Sequence, residues 1–195
     1  MIVAGRRERK EQTRLAILEA AETLFTRKGL VATRTADIAE SAGISHGSVF
    51  VHFGTRDELV ETVVHGIGGR IVTNLRRRVR AGGGVRDVLA AHLESLSEHE
   101  RFYTRLVREG PFLPADARRV LVKIQSAIST QLEEALERDA SRHKIRKVPA
   151  DFAFNLWVGL IHHYLLNRDI FAPQGSVIEK WGRKLVNQYL QLLAP

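Results

Sequence analysis

The residues best suited to chemistry lie between Thr33 and Leu59, in the stretch TRTADIAESAGISHGSVFVHFGTRDEL. Ser45, His46, Ser48 and His52 bring hydroxyl and imidazole groups close together, with Gly47 among them and Arg34 and Arg56 on either side. Groups of this kind donate to phosphates and to the edges of bases. Bond-making chemistry has no comparable support. No Ser-His-Asp ordering, paired-carboxylate signature or nucleotide loop stands out, and there is no cysteine for redox work. Ala81-Gly82-Gly83-Gly84 lacks the following Gly-Lys-Ser/Thr and the preceding strand of a P-loop. His162 and His163 are neighbours, so on a helix they diverge by about 100° and do not converge on a metal. No catalytic residue, metal site or cofactor is expected.

Two short helices and a turn must hold these groups. Asp37 to Ala42 reads as a helical run that buries Ile38 and Ala39, and Gly43 ends it in a left-handed turn. Ser45 caps the next helix, His46 to Phe53, in which Val49, Phe50 and Phe53 are the apolar positions. Thr55 to Glu58 has the spacing of a capping box and starts a third, longer helix. A helix, a glycine turn and a second helix with a small polar face have the shape of a helix-turn-helix DNA reader.

The stretch resembles the DNA-binding domain of the TetR family of bacterial transcriptional regulators. The residues that carry the resemblance are Ile17, Ala20, Ala21, Phe25, Gly29, Thr33, Ile38, Ala39, Ala42, Gly43, Ile44, Ser45, Gly47, Phe50, Phe53, Arg56, Glu58 and Leu59. They run in order without gaps over roughly the first 60 residues, and nothing comparable extends further. The resemblance implies DNA contacts from Arg34, Thr35, Ser45, His46, Gly47, Ser48, Phe50, Val51, His52 and Arg56. Arg34 stands where the family usually has a capping Ser or Thr, so the cap is expected at Thr33 or Thr35. Arg34 is then free for a phosphate at a helix N-terminus or for solvent. Phe50 replaces the usual Tyr, which keeps the ring for packing and removes a hydroxyl. Arg56 replaces a Lys that faces phosphate.

Composition fits this class. The chain has 195 residues, 44% hydrophobic and 27% charged, with a net charge of +8. Residues 1–80 hold 14 Lys and Arg against 9 Asp and Glu, a balance that suits phosphate neutralisation or a merely basic soluble surface. No apolar run reaches the ~20 residues that span a membrane. MIVAGRRERKEQTR places its basic residues after a short apolar start, the wrong order for a secretory signal, so a cytoplasmic location is expected.

Every other segment reads as helix, giving an all-α chain of about nine helices. Glu11 to Lys28 is amphipathic through Leu15, Leu18, Ala21 and Phe25. The remaining helices are expected over Arg56 to roughly Arg80, Val85 to Leu96, Arg101 to Glu109, Ala115 to about Ala140, Pro149 to about Arg168, and Val177 to Leu193. Residues 1–54 form the expected helix-turn-helix domain, with a basic arm over 1–10 carrying Arg6, Arg7, Arg9 and Lys10. Residues 55–195 form a helical effector-binding and dimerisation domain. Gly66, Gly68 and Gly69 inside the fourth helix mark either close packing or a hinge.

In the family the last two helices usually pair two subunits. Carried over here, that implies an interface of Leu156, Gly159, Leu160 and His163 with Trp181, Gly182, Leu185 and Tyr189; an intrachain core fits the same spacing. Phe102, Tyr103, Leu106, Phe112, Trp157, Ile161 and His162 are the candidates for an effector pocket. The expected function is a homodimeric repressor, released from a palindromic operator in double-stranded DNA by a small-molecule effector, with no membrane partner. The alternatives are a DNA-binding regulator or architectural protein without an effector, and a small all-helical enzyme.

Overall fold

The computed structural model describes residues 2–195, with the backbone alone for residues 2–4 and 6. Ten α-helices and one 3-10 turn follow in order: α1 (Ile2–Lys28), α2 (Thr35–Ser41), α3 (His46–His52), α4 (Arg56–Arg78), α5 (Val85–Ser97), α6 (Glu100–Glu109), the turn Gly110–Phe112, α7 (Ala115–Ser141), α8 (Ala150–Leu166), α9 (Arg168–Phe171) and α10 (Val177–Leu192). No strand occurs among the described residues. The tenth helix is α9, a single turn after Asn167 that the sequence pattern merges with the end of α8. The expected basic arm is helical from Ile2, so α1 starts nine residues before Glu11; Met1 and the Arg6 side chain lie outside the described residues.

Helix α1 buries Ile17, Ala20, Ala21, Leu24 and Phe25. This stripe is rotated from the expected one, because Leu15 is 50% exposed. Gly29 (φ 103°) ends the helix, a conformation that favours glycine. Ile38, Val49, Phe53 and Leu59 complete the core of the first three helices. Helix α4 leaves that core through Val60, Val63, Val64 and Ile67 and lies along α7. Gly68 allows the approach: a Cβ there would sit 2.2 Å from Val120 Cγ1. Gly66 and Gly69 are exposed, so one glycine of the three serves packing.

Two helices of the body are capped by carboxylates distant in sequence. Asp139 on α7 accepts from the Val85 N–H at 2.8 Å, at the start of α5. Buried Glu100 accepts from the N–H groups of Val177 and Ile178, both at 2.9 Å, and from the Ser176 hydroxyl. The first N–H groups of a helix lack internal partners and carry partial positive charge, so each carboxylate satisfies both needs. Glu100→Ala removes the acceptor and leaves those groups unmatched. It is expected to cost about 1.5–3 kcal/mol, read as a lower urea midpoint with an unchanged slope; an unaltered midpoint would show that α10 holds without this cap.

The centre of the body is aromatic. Trp157, Tyr103 and Tyr189 are fully buried, with the Trp157 and Tyr189 rings 5.3 Å apart and edge to face. Trp157 Nε1 donates to His92 Nδ1 at 3.1 Å, the Tyr189 hydroxyl donates to the Ala153 carbonyl at 2.6 Å, and the Tyr103 hydroxyl lies 2.9 Å from His162 Nε2.

Candidate nucleic-acid interface

Helix α3 is held by its two inward residues. Val49 and Phe53 are buried, and the Arg14 guanidinium lies 4.8 Å from the centre of the Phe53 ring, joining α1 to the end of α3. Gly43 takes φ 66°, and the Ile44 N–H returns to the Ala39 carbonyl at 3.0 Å. Ser45 then caps α3 by accepting from the Ser48 N–H at 3.3 Å, while the two hydroxyls bond each other at 2.7 Å. The remaining face carries His46, Gly47, Phe50 and Val51. All are exposed, Phe50 at 42% and Val51 at 72%. His46 lies edge-on to Phe50, with ring centres 5.2 Å apart, and its Nε2 is 2.9 Å from the Thr35 hydroxyl across the turn. His52 is half-buried, with Nδ1 buried and without a hydrogen-bond partner, so it lies off this face.

The start of α2 differs from the expected cap. Thr33 is buried and its hydroxyl donates to the Gly29 carbonyl at 2.6 Å. Arg34 itself is the N-cap, in extended conformation, with its N–H 3.4 Å from Asp37 Oδ2. The same carboxylate accepts from Lys28 Nζ at 3.2 Å. Lys28, followed by the Arg34 backbone, holds the Asp37 carboxyl below the usual range. The Arg34 side chain is left exposed at the helix N-terminus.

Arg56 has partners within the chain. Its Nη2 donates to the carbonyls of Leu30 and, at 3.3 Å, Thr33, and its Nε lies 3.4 Å from the latter. The guanidinium therefore ties the start of α4 to the α1–α2 link, while its side chain stays 36% exposed. Glu58 closes the cap by accepting from the Gly54 N–H at 2.8 Å, one residue before the position a capping box requires. Its own N–H donates to the Thr55 hydroxyl at 3.1 Å.

The profile of the family described as "Bacterial regulatory proteins, tetR family" matches residues 17–63, the segment that builds this surface. The chain is 35% identical over 101 residues to the HTH-type transcriptional repressor Rv3405c of Mycobacterium tuberculosis, covering 52% of this chain and 50% of that protein. The structure superposes on the TetR family regulator PfmR of Thermus thermophilus with a TM-score of 0.74, at 22% identity, over 90% of this chain and 97% of that one. Residues 17–63 form a domain of the tetR family's N-terminal type. A third relative, the regulator TtgR of Pseudomonas putida, is 40% identical over 63 residues, 32% of this chain and 30% of that protein. The chain spans about half the length, or less, of the curated relatives it matches. At 22% identity, the PfmR likeness shows the fold alone.

Outside residues 17–63, the structure separates residues that the sequence grouped. On α8, Leu156, Gly159 and His163 are exposed and Leu160 is half-buried, with Phe152 extending the stripe. On α10, Gly182, Leu185 and Tyr189 face inward; a Cβ on Gly182 would lie 3.1 Å from Leu93 Cδ1. Trp181 packs on Phe171 and donates from Nε1 to its carbonyl at 2.7 Å. These four positions of α10 serve the chain's own core. Of the expected effector residues, Phe102, Tyr103, Leu106, Trp157 and Ile161 are buried in that core, and His162 bonds Tyr103. Phe112 is 77% exposed on the turn before α7. One open groove, of about 580 Å³, lies between α4 and α7, lined by His65, Val72, Thr73, Arg76, Lys123 and Ser126 among others. Sequence reasoning missed it because its residues alternate with core positions on two helices far apart in the chain. No helix among the described residues is long and apolar enough to cross a membrane.

Proposed function

We propose that the protein is a homodimeric transcriptional repressor that holds a palindromic operator and leaves it when a small molecule binds. The observation that carries the reading is the outward face of α3, with His46, Gly47, Phe50 and Val51 exposed over buried Val49 and Phe53. A helix of this size fits the major groove, where polar groups meet base edges and an apolar side chain such as Val51 meets a thymine methyl. Gly47 lets the backbone approach closely, and Arg34 is placed for a flanking phosphate. Arg56 acts indirectly, by fixing the loop that orients α2. Two copies joined through the exposed stripe of α8 would set two α3 helices on half-sites one helical turn apart.

The effector reading rests on the groove beside Gly68. A ligand there would favour a spacing of α4 and α7 different from the present one, and α4 runs straight into the Arg56 clamp. Ligand and operator would then select different states of the same helix, which is the requirement for release.

Arg34 offers a test that needs no known operator. Binding of a mixed-sequence duplex, followed by fluorescence anisotropy across a salt series, is expected to give a shallower slope for Arg34→Ala. The log–log slope should change by about 0.9 for each phosphate that the arginine neutralises. An identical slope would remove Arg34 from the interface.

A further inference from the structure

Five arginines from three separate segments surround one small cleft. Arg27 lies in the last turn of α1, Arg101, Arg105 and Arg108 lie on α6, and Arg168 opens α9; together with Thr26, Thr104 and Asp169 they line a cavity of about 280 Å³. The three arginines of α6 are spaced four and three residues apart, so they share one helix face, an arrangement that is unfavourable without a counter-charge. Among the described residues, Arg105 alone of the five has an acidic partner, Glu109 at 3.7 Å. The carboxylates of the adjoining cleft are engaged elsewhere. Glu22 receives Arg70 at 2.8 Å, Glu98 receives Arg78 at 3.4 Å, and Glu100 caps α10.

Three of the guanidinium groups are nevertheless held in place. Arg105 donates to the Arg27 carbonyl at 3.2 Å, Arg108 to the Leu166 carbonyl at 2.7 Å, and Arg168 to the Gly175 carbonyl at 3.0 Å. Carbonyl bonds fix position without cancelling charge, and each guanidinium has five donors. Arg168 Nε is buried and has no hydrogen-bond partner, a donor that is costly to leave unmatched.

We propose that this cleft binds a small phosphate-bearing anion, with a diphosphate group as the best match. Guanidinium forks pair bidentately with phosphate oxygens, and carbonyl-anchored arginines lose little freedom in doing so. The volume suits a diphosphate better than a whole drug-sized molecule, whose pockets run from about 300 to 1,000 Å³. The cleft is separate from the α3 face and from the α4–α7 groove, and its occupancy does not depend on DNA binding.

Isothermal titration of the full chain with inorganic pyrophosphate tests this. One site per chain is expected, weakened at least about tenfold in Arg101→Gln/Arg108→Gln. The single variant Arg101→Gln should fall between. A control pair, Arg118→Gln/Arg142→Gln, removes the same charge from exposed positions elsewhere and should bind as the parent does. Absence of binding at millimolar pyrophosphate, or equal weakening in both pairs, would overturn the proposal.

Discussion

Replacing Leu156 with aspartate is expected to make the protein monomeric and to weaken operator binding by at least about 100-fold, within the range that linking two sites contributes. Leu156 is 39% exposed in the middle of α8, between exposed Phe152 and Gly159. An apolar stripe with a glycine at its centre lets two helices approach closely, and a symmetric dimer would bury it against its own copy. A carboxylate there would meet its symmetry mate in a desolvated contact, which no neighbouring group neutralises. Each isolated reader would then hold one half-site, without the gain from the second. Light scattering after size exclusion gives the mass, and anisotropy with a selected duplex gives the affinity. Phe112→Asp, a similar change at an exposed turn outside the stripe, should leave the mass dimeric. A dimeric Leu156→Asp protein with full affinity would place the interface elsewhere.

Acidification is expected to unfold the body before most carboxylates titrate. Burial pushes the His92 imidazole down to about 3, helped by the nearby His162, and burial alone takes His162 down to about 4. His92 must also remain unprotonated at Nδ1 to accept from Trp157. Both groups bind protons more readily in the unfolded chain, where histidine titrates near 6.5. Stability is therefore complete above about pH 6.5 and declines as pH falls toward 4, because the unfolded state takes up protons that the folded state refuses. The limiting slope is about 1.4 kcal/mol per pH unit for each histidine. Urea unfolding at pH 7, 6 and 5 should show this fall, and His162→Gln should remove part of its pH dependence. A flat stability between pH 7 and 5 would mean that water or a rearrangement reaches these side chains.

What the sequence made legible was local. Gly43, Ser45 and Thr55 act within four residues of themselves, through a positive φ or a cap, so their spacing specifies their roles. The outward face of α3 follows from the same local geometry, since Val49 and Phe53 leave only one side for His46, Gly47 and Val51. Roles set by distant partners were not legible. Trp181, Gly182 and Tyr189 recur at helical spacing whether they face a second subunit or their own core, and the contacts that Phe171, Leu93 and Trp157 make with them come from other helices. Arg56 had the charge for a phosphate, but its bonds to carbonyls more than twenty residues away gave no signal in the sequence. Glu100 and Asp139 gave no signal, because the helix ends they cap lie 77 and 54 residues away. The arginine cleft was similarly hidden, being assembled from α1, α6 and α9. Where two readings share one periodicity, only the packing partner separates them.

The most direct test of the DNA-reading dimer is selection of bound duplexes from a random-sequence pool by the full chain, at a low and a physiological salt concentration. The expected result is an enriched inverted repeat, with half-sites about one helical turn apart, that survives the higher salt. Recovery of no common sequence, with all retention vanishing as salt rises, would contradict it and reduce the interaction to phosphate attraction alone.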